Sequence, residues 1–135
     1  MKRVLAVDDE RGILQTLTDA LTAKGFEVVT TDQAESAIGL FRDQTFDLVL
    51  LDLHMPGKSG FDLYREFASM REVPVLFVSG YPRSFSPTSP GFADLWTGQF
   101  ALGRTDILYK PFTLSALFEK VEALVGSAEV TTSGN

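Results

Sequence analysis

Apolar and polar positions in this chain alternate between two rhythms. Short apolar runs stand at Val4–Val7, Phe46–Leu51, Val73–Val78 and Ile107–Tyr109, and Phe26–Thr31 reads as a further extended segment. Runs of this length bounded by polar residues read as β-strands, and those apolar on every residue read as strands covered on both faces. Between them the spacing changes to that of helices. Ile13, Leu14, Leu17, Ala20, Leu21 and Lys24 form one stripe, which Gly25 closes at its C-terminus. Ala34, Ala37, Ile38 and Phe41 form a second stripe, with Asp32 as the expected cap and Glu35 three residues on as in a capping box. Phe61, Tyr64, Phe67 and Ala68 form a third, opened by Ser59 or Gly60. Thr113 caps a last helix carrying Leu114, Leu117, Phe118, Val121, Leu124 and Val125.

Strictly alternating strands and helices predict an α/β fold, a doubly wound parallel sheet with helices on both faces. Five strands in a chain of 135 residues fit the flavodoxin-like order 2-1-3-4-5. Residues 1–125 make the expected domain, and 126–135, small and polar, a flexible C-terminal tail. One segment breaks the rhythm. Tyr81–Thr105 contains Pro82, Pro87 and Pro90, and interior proline removes a helix donor and clashes with the preceding turn. The helix between the fourth and fifth strands is therefore expected to be degenerate.

In a parallel sheet the carboxyl ends of all strands lie along one edge. Asp8 and Asp9, Asp52, Ser79 and Lys110 each follow or end a strand, so residues distant in sequence meet there. Crowded carboxylates repel unless a cation compensates, and Mg²⁺, a hard ion with oxygen ligands, is the natural one. Asp8, Asp9 and Asp52 against Lys110 leave the two negative charges one Mg²⁺ would match. A carboxylate at Asp52 can also act as a nucleophile toward phosphorus, with Ser79 and Lys110 meeting the phosphoryl oxygens. The bland readings are helix-dipole charges for Asp8 and Asp9 and a turn residue for Asp52.

Composition narrows the partners. Eighteen acidic residues against twelve basic ones, with no Lys/Arg run, argue against direct nucleic-acid binding. The absence of cysteine removes disulfides and thiolate chemistry. No signal peptide or membrane span is recognisable, so a cytoplasmic location is expected. Gly57-Lys58-Ser59 resembles the end of a P-loop, but Asp52 occupies the position of its first glycine. Asp8-Asp9-Glu10 would repel the phosphate of a flavin nucleotide, and a single histidine supports no Ser/His/Asp triad.

Four motifs together, Val7-Asp8-Asp9-Glu10, Leu51–Gly57, Ser79-Gly80-Tyr81 and Lys110-Pro111-Phe112, resemble the receiver domain of two-component response regulators, in its single-domain, chemotaxis-regulator-like form. The resemblance covers residues 3 to about 125. It implies a phosphoacceptor signalling domain rather than an enzyme in the ordinary sense, one that assists its own phosphorylation and dephosphorylation. Asp52 would accept a phosphoryl group from a histidine kinase or histidine phosphotransfer protein. Asp8, Asp9, Asp52 and the backbone carbonyl of His54 would hold Mg²⁺. Ser79 and Lys110 would bind the phosphoryl group and switch, and the peptide before Pro111 would be cis. Apart from the resemblance, His54 has two readings: a solvated loop side chain, or a residue that with Tyr81 crowds the phosphoryl group, slows attack by water and so controls dephosphorylation.

The chain also departs from the family. Ile107 stands where receivers usually carry an aromatic switch residue; Tyr109 shares its sheet face and either substitutes for it or, the favoured reading, faces solvent. The degenerate fourth-helix region is similar to that of some hybrid-kinase receivers, and Phe85, Phe92, Trp96 and Phe100 there could meet a partner or fold back onto the core. No output domain follows in this sequence, so a stand-alone regulator or a phosphorelay shuttle is expected, with a fragment of something larger equally compatible. The alternative is a pseudo-receiver that binds an unknown downstream protein without phosphorylation.

Overall fold

The computed structural model describes residues 2–53, 55, 57–80 and 105–126. Strands β1 (Arg3–Val7), β2 (Glu27–Thr31), β3 (Leu48–Asp52), β4 (Val75–Ser79) and β5 (Thr105–Tyr109) form one sheet in the order β2-β1-β3-β4-β5. Every pairing is parallel. The described helices are α1 (Arg11–Ala23), α2 (Ala34–Asp43), α3 (Gly60–Met70) and, closing the domain, α4 (Leu114–Val125). The sheet order is the expected one. The segment 81–104, with the expected degenerate helix and Phe85, Phe92, Trp96 and Phe100, lies outside the described residues, as does the tail from residue 127.

Alternation along the strands feeds two cores. Leu5, Val7, Val49, Leu51, Val75 and Phe77 face Ala37 and Phe41 of α2 and Leu63 and Phe67 of α3. Val4, Ala6, Leu48, Leu50, Leu76 and Val78 face Leu14, Leu17 and Leu21 of α1 and Leu117 and Val121 of α4. β3 and β4 are buried at every residue, which is why they read as unbroken apolar runs. Each fully buried Leu or Phe contributes about 1.5–3 kcal/mol, so these paired layers supply most of what holds the sheet.

Several boundaries move for identifiable reasons. Ladder pairing on β4 begins at Val75 because Pro74, which has no N–H, precedes it; its carbonyl accepts from Val49 at 3.0 Å. β5 begins two residues earlier than the apolar run suggests. Asp106 sits within it because one carboxylate oxygen accepts from the Ile107 N–H at 2.7 Å and the other meets Lys120 of α4 at 3.1 Å. Helix α1 ends in a Schellman motif: the Phe26 N–H reaches the Leu21 carbonyl at 3.0 Å and the Gly25 N–H reaches Thr22 at 3.0 Å. Gly25 takes φ 97°, a left-handed conformation that costs glycine nothing.

The expected cap of α2 is not made. Gln33 is the N-cap, without a side-chain bond, and Asp32 instead pairs with Arg11 at 3.3 Å. One residue decides this: Asp32 still belongs to the turn leaving β2, where it faces the start of α1. The capping box sits on α3, where Ser59 accepts from the Asp62 N–H and Asp62 accepts back from Ser59. On that helix Leu63, not Ala68, joins Phe67 in the core, and Ala68 is exposed. Leu114 is likewise exposed, at the first turn of α4, where Thr113 caps the Ala116 N–H.

Candidate functional site

The register along the carboxyl edge decides which side chains meet. Val7 pairs with Leu51 and Asp52 with Val78, so Asp8 and Asp52 stand on neighbouring strand ends. Ser79 pairs with Tyr109, which places Lys110 one residue beyond. The Lys110 N–H donates to the Ser79 carbonyl at 2.7 Å, continuing the ladder past the end of β5.

Asp8, Asp9 and Asp52 come together: one carboxylate oxygen from each lies within 4.8 Å of the others. Asp8, 1% exposed, and Asp52 are buried, while Asp9 reaches solvent. The Lys110 ammonium is 2.9 Å from Asp8 Oδ2, 2.7 Å from Glu10 Oε1 and 4.0 Å from Asp52 Oδ2. Ser79 is wholly buried at the end of β4. Ile107 is buried on the α2–α3 side of the sheet with Phe77, whereas Tyr109, two residues on at the strand end, is 42% exposed, as in the favoured of its two readings. The Lys110–Pro111 peptide is cis. His54 and Tyr81 lie outside the described residues.

The donor set suits a hard cation. Opposed ligands around Mg²⁺ stand about 4.2 Å apart, so a spread of 4.8 Å needs little closing. Asp8 Oδ1 accepts from the Glu10 N–H at 2.8 Å, but buried Asp8 Oδ2 has no well-angled hydrogen bond among the described residues. Its charged neighbour is Lys110, close but poorly directed. A buried carboxylate oxygen short of partners is costly, and a cation shared with Asp9 and Asp52 would satisfy it. Burial pushes the Asp8 carboxyl above the usual range, only partly offset by the Glu10 N–H and by Lys110. Burial pulls Lys110 down, but its hydrogen bond to Glu10 and then the neighbouring Asp8 carboxylate leave it raised overall, firmly cationic.

Two residues outside the expected set shape this edge. Glu10 brings a fourth carboxylate to this edge beside Asp8, Asp9 and Asp52, so with Lys110 the described side chains hold three negative charges in excess, not two. Its signal was a third acidic residue directly after the Asp8–Asp9 pair. Gly60, the first residue of α3, presses on the segment after β3: a Cβ there would lie 2.6 Å from the Asp52 carbonyl oxygen and 3.0 Å from Leu53 Cα. The Gly60 N–H donates to the Leu53 carbonyl at 3.2 Å. The helix thus braces the backbone that carries Asp52.

Comparison with known proteins points one way. The family model for the response regulator receiver domain matches residues 4–122. The virulence sensor protein BvgS of Bordetella pertussis is 34% identical over 134 residues, 96% of this chain and 10% of its own. The cell cycle transcriptional regulator CtrA of Caulobacter vibrioides is 32% identical over 124 residues, 91% of this chain and 50% of its own. The chain thus spans half or less of these two relatives. Among solved structures, the response regulator TrrA of Thermotoga maritima in complex with Mg²⁺-BeF superposes with a TM-score of 0.76 at 30% identity, covering 92% of this chain and 99% of that one. A CheY-like receiver domain from Methanospirillum hungatei gives 0.75 at 25% identity, covering 90% and 91%.

Proposed function

The chain belongs to the response-regulator receiver domains, and from that premise we propose that it accepts a phosphoryl group on Asp52 and passes the event on as a change of conformation. The observation that carries the reading is the convergence of three aspartates and Lys110 on one edge, with Asp52 buried at the end of the central strand. Of these, Asp52 is the residue that Gly60 and α3 hold in place.

In the transfer, an Asp52 carboxylate oxygen attacks phosphorus in line. The new O–P bond forms as the bond from phosphorus to the donor breaks, and the donor leaves with the electron pair. A phosphohistidine of a histidine kinase or phosphotransfer protein, or a small acyl phosphate, is the donor class. Lys110 meets one phosphoryl oxygen as a point charge, and the Ser79 hydroxyl donates to another once the end of β4 moves toward it. Asp8, Asp9 and Asp52 would hold Mg²⁺. When bound, the ion supplies charge neutralisation for the phosphoryl oxygens. The product carries roughly −1.5 to −2 charges where a carboxylate stood, which biases a two-state equilibrium around Ser79 and Lys110. Among the described residues, no helix is long and apolar enough to cross a membrane.

Intact-protein mass spectrometry after incubation with acetyl phosphate and Mg²⁺ tests the reading, with Asp52→Asn alongside. One Mg²⁺-dependent phosphoryl adduct on the wild type, absent from the variant, is expected. No adduct on the wild type, from acetyl phosphate or from a phosphohistidine donor, would leave a protein-interaction module that works without phosphorylation.

A further inference from the structure

Lys110 has three carboxylates within reach and does not favour the one expected to react. Its ammonium is closer to Glu10, at 2.7 Å, and to Asp8, at 2.9 Å, than to Asp52, at 4.0 Å. The Glu10 contact is a hydrogen bond as well as an ion pair. Asp8 alone does not account for the placement, because its approach to Lys110 is poorly directed. Glu10 is 62% exposed on its side chain and stands at the N-cap of α1, where its side chain makes no capping bond. Its carboxylate is therefore spent on Lys110 rather than on the helix.

We propose that Glu10 is a positioning residue that holds Lys110 away from Asp52 until a phosphoryl group arrives. The inference rests on the reading of Asp52 as phosphoacceptor and deepens it. An incoming phosphodonor must draw the ammonium off Glu10 to pair with its own oxygens, and Glu10 adds a negative charge beside the path of an anionic donor. Both effects oppose donor binding. Neither acts once Lys110 has crossed, so the consequence falls on half-saturation and not on the maximal rate. A half-exposed ion pair is worth little in water, so release should change half-saturation by about two- to fivefold.

Two variants separate contact from charge. Glu10→Gln removes the charge and keeps the shape; Glu10→Asp keeps the charge on a side chain one methylene shorter, which withdraws it from Lys110. With acetyl phosphate and Mg²⁺, both variants should reach half-maximal phosphorylation of Asp52 at about two- to fivefold lower donor concentration, with the plateau rate unchanged. In the metal-free protein, the Lys110 ¹⁵Nζ resonance should move in both variants relative to wild type, independently of any phosphorylation. An unchanged half-saturation in Glu10→Gln, or an unmoved Lys110 resonance, overturns the inference while the wild-type adduct keeps Asp52 as acceptor. A response in Glu10→Gln alone assigns the effect to charge and overturns the holding contact. A wild type with no adduct removes the acceptor reading and this inference together.

Discussion

Burial pushes the Asp8 carboxyl above the usual carboxylate range, and the hydrogen bond from the Glu10 N–H and the nearby Lys110 charge bring it only partly back. The sign for stability follows. A carboxyl raised in the folded state costs nothing below the ordinary carboxylate range; the cost builds as pH rises through the folded value and is complete above it. Asp8→Asn removes that cost. In metal-free buffer at neutral pH it should raise stability by about 1 kcal/mol, or roughly 3–5 °C in the unfolding midpoint, and the gain should shrink as pH falls into the acid range. Thermal unfolding followed by circular dichroism across pH is the check; a variant that melts no higher than wild type at neutral pH overturns it. Asp8, Asp9, Asp52, Ser79 and Lys110 were readable from sequence because each follows or ends an apolar run, and a parallel sheet gathers such positions. Glu10 was not, because a third acidic residue in a row also reads as a solvated helix start, and only the reach of Lys110 distinguishes the two.

Between residue and molecule stand the helices, and α3 bears most directly on the site. Its capping box fixes where it starts, and its first residue must be glycine for the backbone to approach the end of β3. Gly60→Ala places a methyl carbon against the Asp52 carbonyl, so strand end or helix must shift. Overpacking of this kind costs about 1–3 kcal/mol. Denaturant unfolding should show that loss, and phosphorylation of Asp52 should slow beyond what the lost stability explains. A Gly60→Ala protein with wild-type stability and phosphorylation rate would mean that the contact is slack. Sequence reading named Ser59 or Gly60 as the helix start but gave the glycine no packing role, since a close backbone approach leaves no trace in periodicity. The misplaced cap at Asp32 has a similar cause. Asp-x-x-Glu fits a capping box locally, but the length of the turn after β2 puts Gln33 at the helix end and Asp32 opposite Arg11.

At the scale of the molecule, the sheet order was legible because the alternation of strand and helix leaves few right-handed arrangements. Strand limits were not, since Pro74 and Asp106 act through backbone pairing and an ion pair to α4 that apolar runs do not encode. If the carboxylate cluster of Asp8, Asp9 and Asp52 holds Mg²⁺ as proposed, the folded state gains a cation affinity that the unfolded chain lacks. Mg²⁺ at a hundred times its dissociation constant should stabilise the wild type by about 2.7 kcal/mol, and chelation should reverse it. The same titration on Asp8→Asn or Asp52→Asn should give a smaller shift in midpoint; an equal shift would place the ion elsewhere. One hydrogen bond also sets how this edge can move. The Lys110 peptide N–H is tied to the Ser79 carbonyl at 2.7 Å, so the hydroxyl-bearing and ammonium-bearing strand ends are one kinematic part. A shift of the Ser79 backbone must carry the Lys110 peptide with it or sever a bond worth about 0.5–1.5 kcal/mol net. If Ser79 and Lys110 meet a phosphoryl group as proposed, capture by one end would advance the other, and the pair would respond as a single latch rather than as two independent sensors.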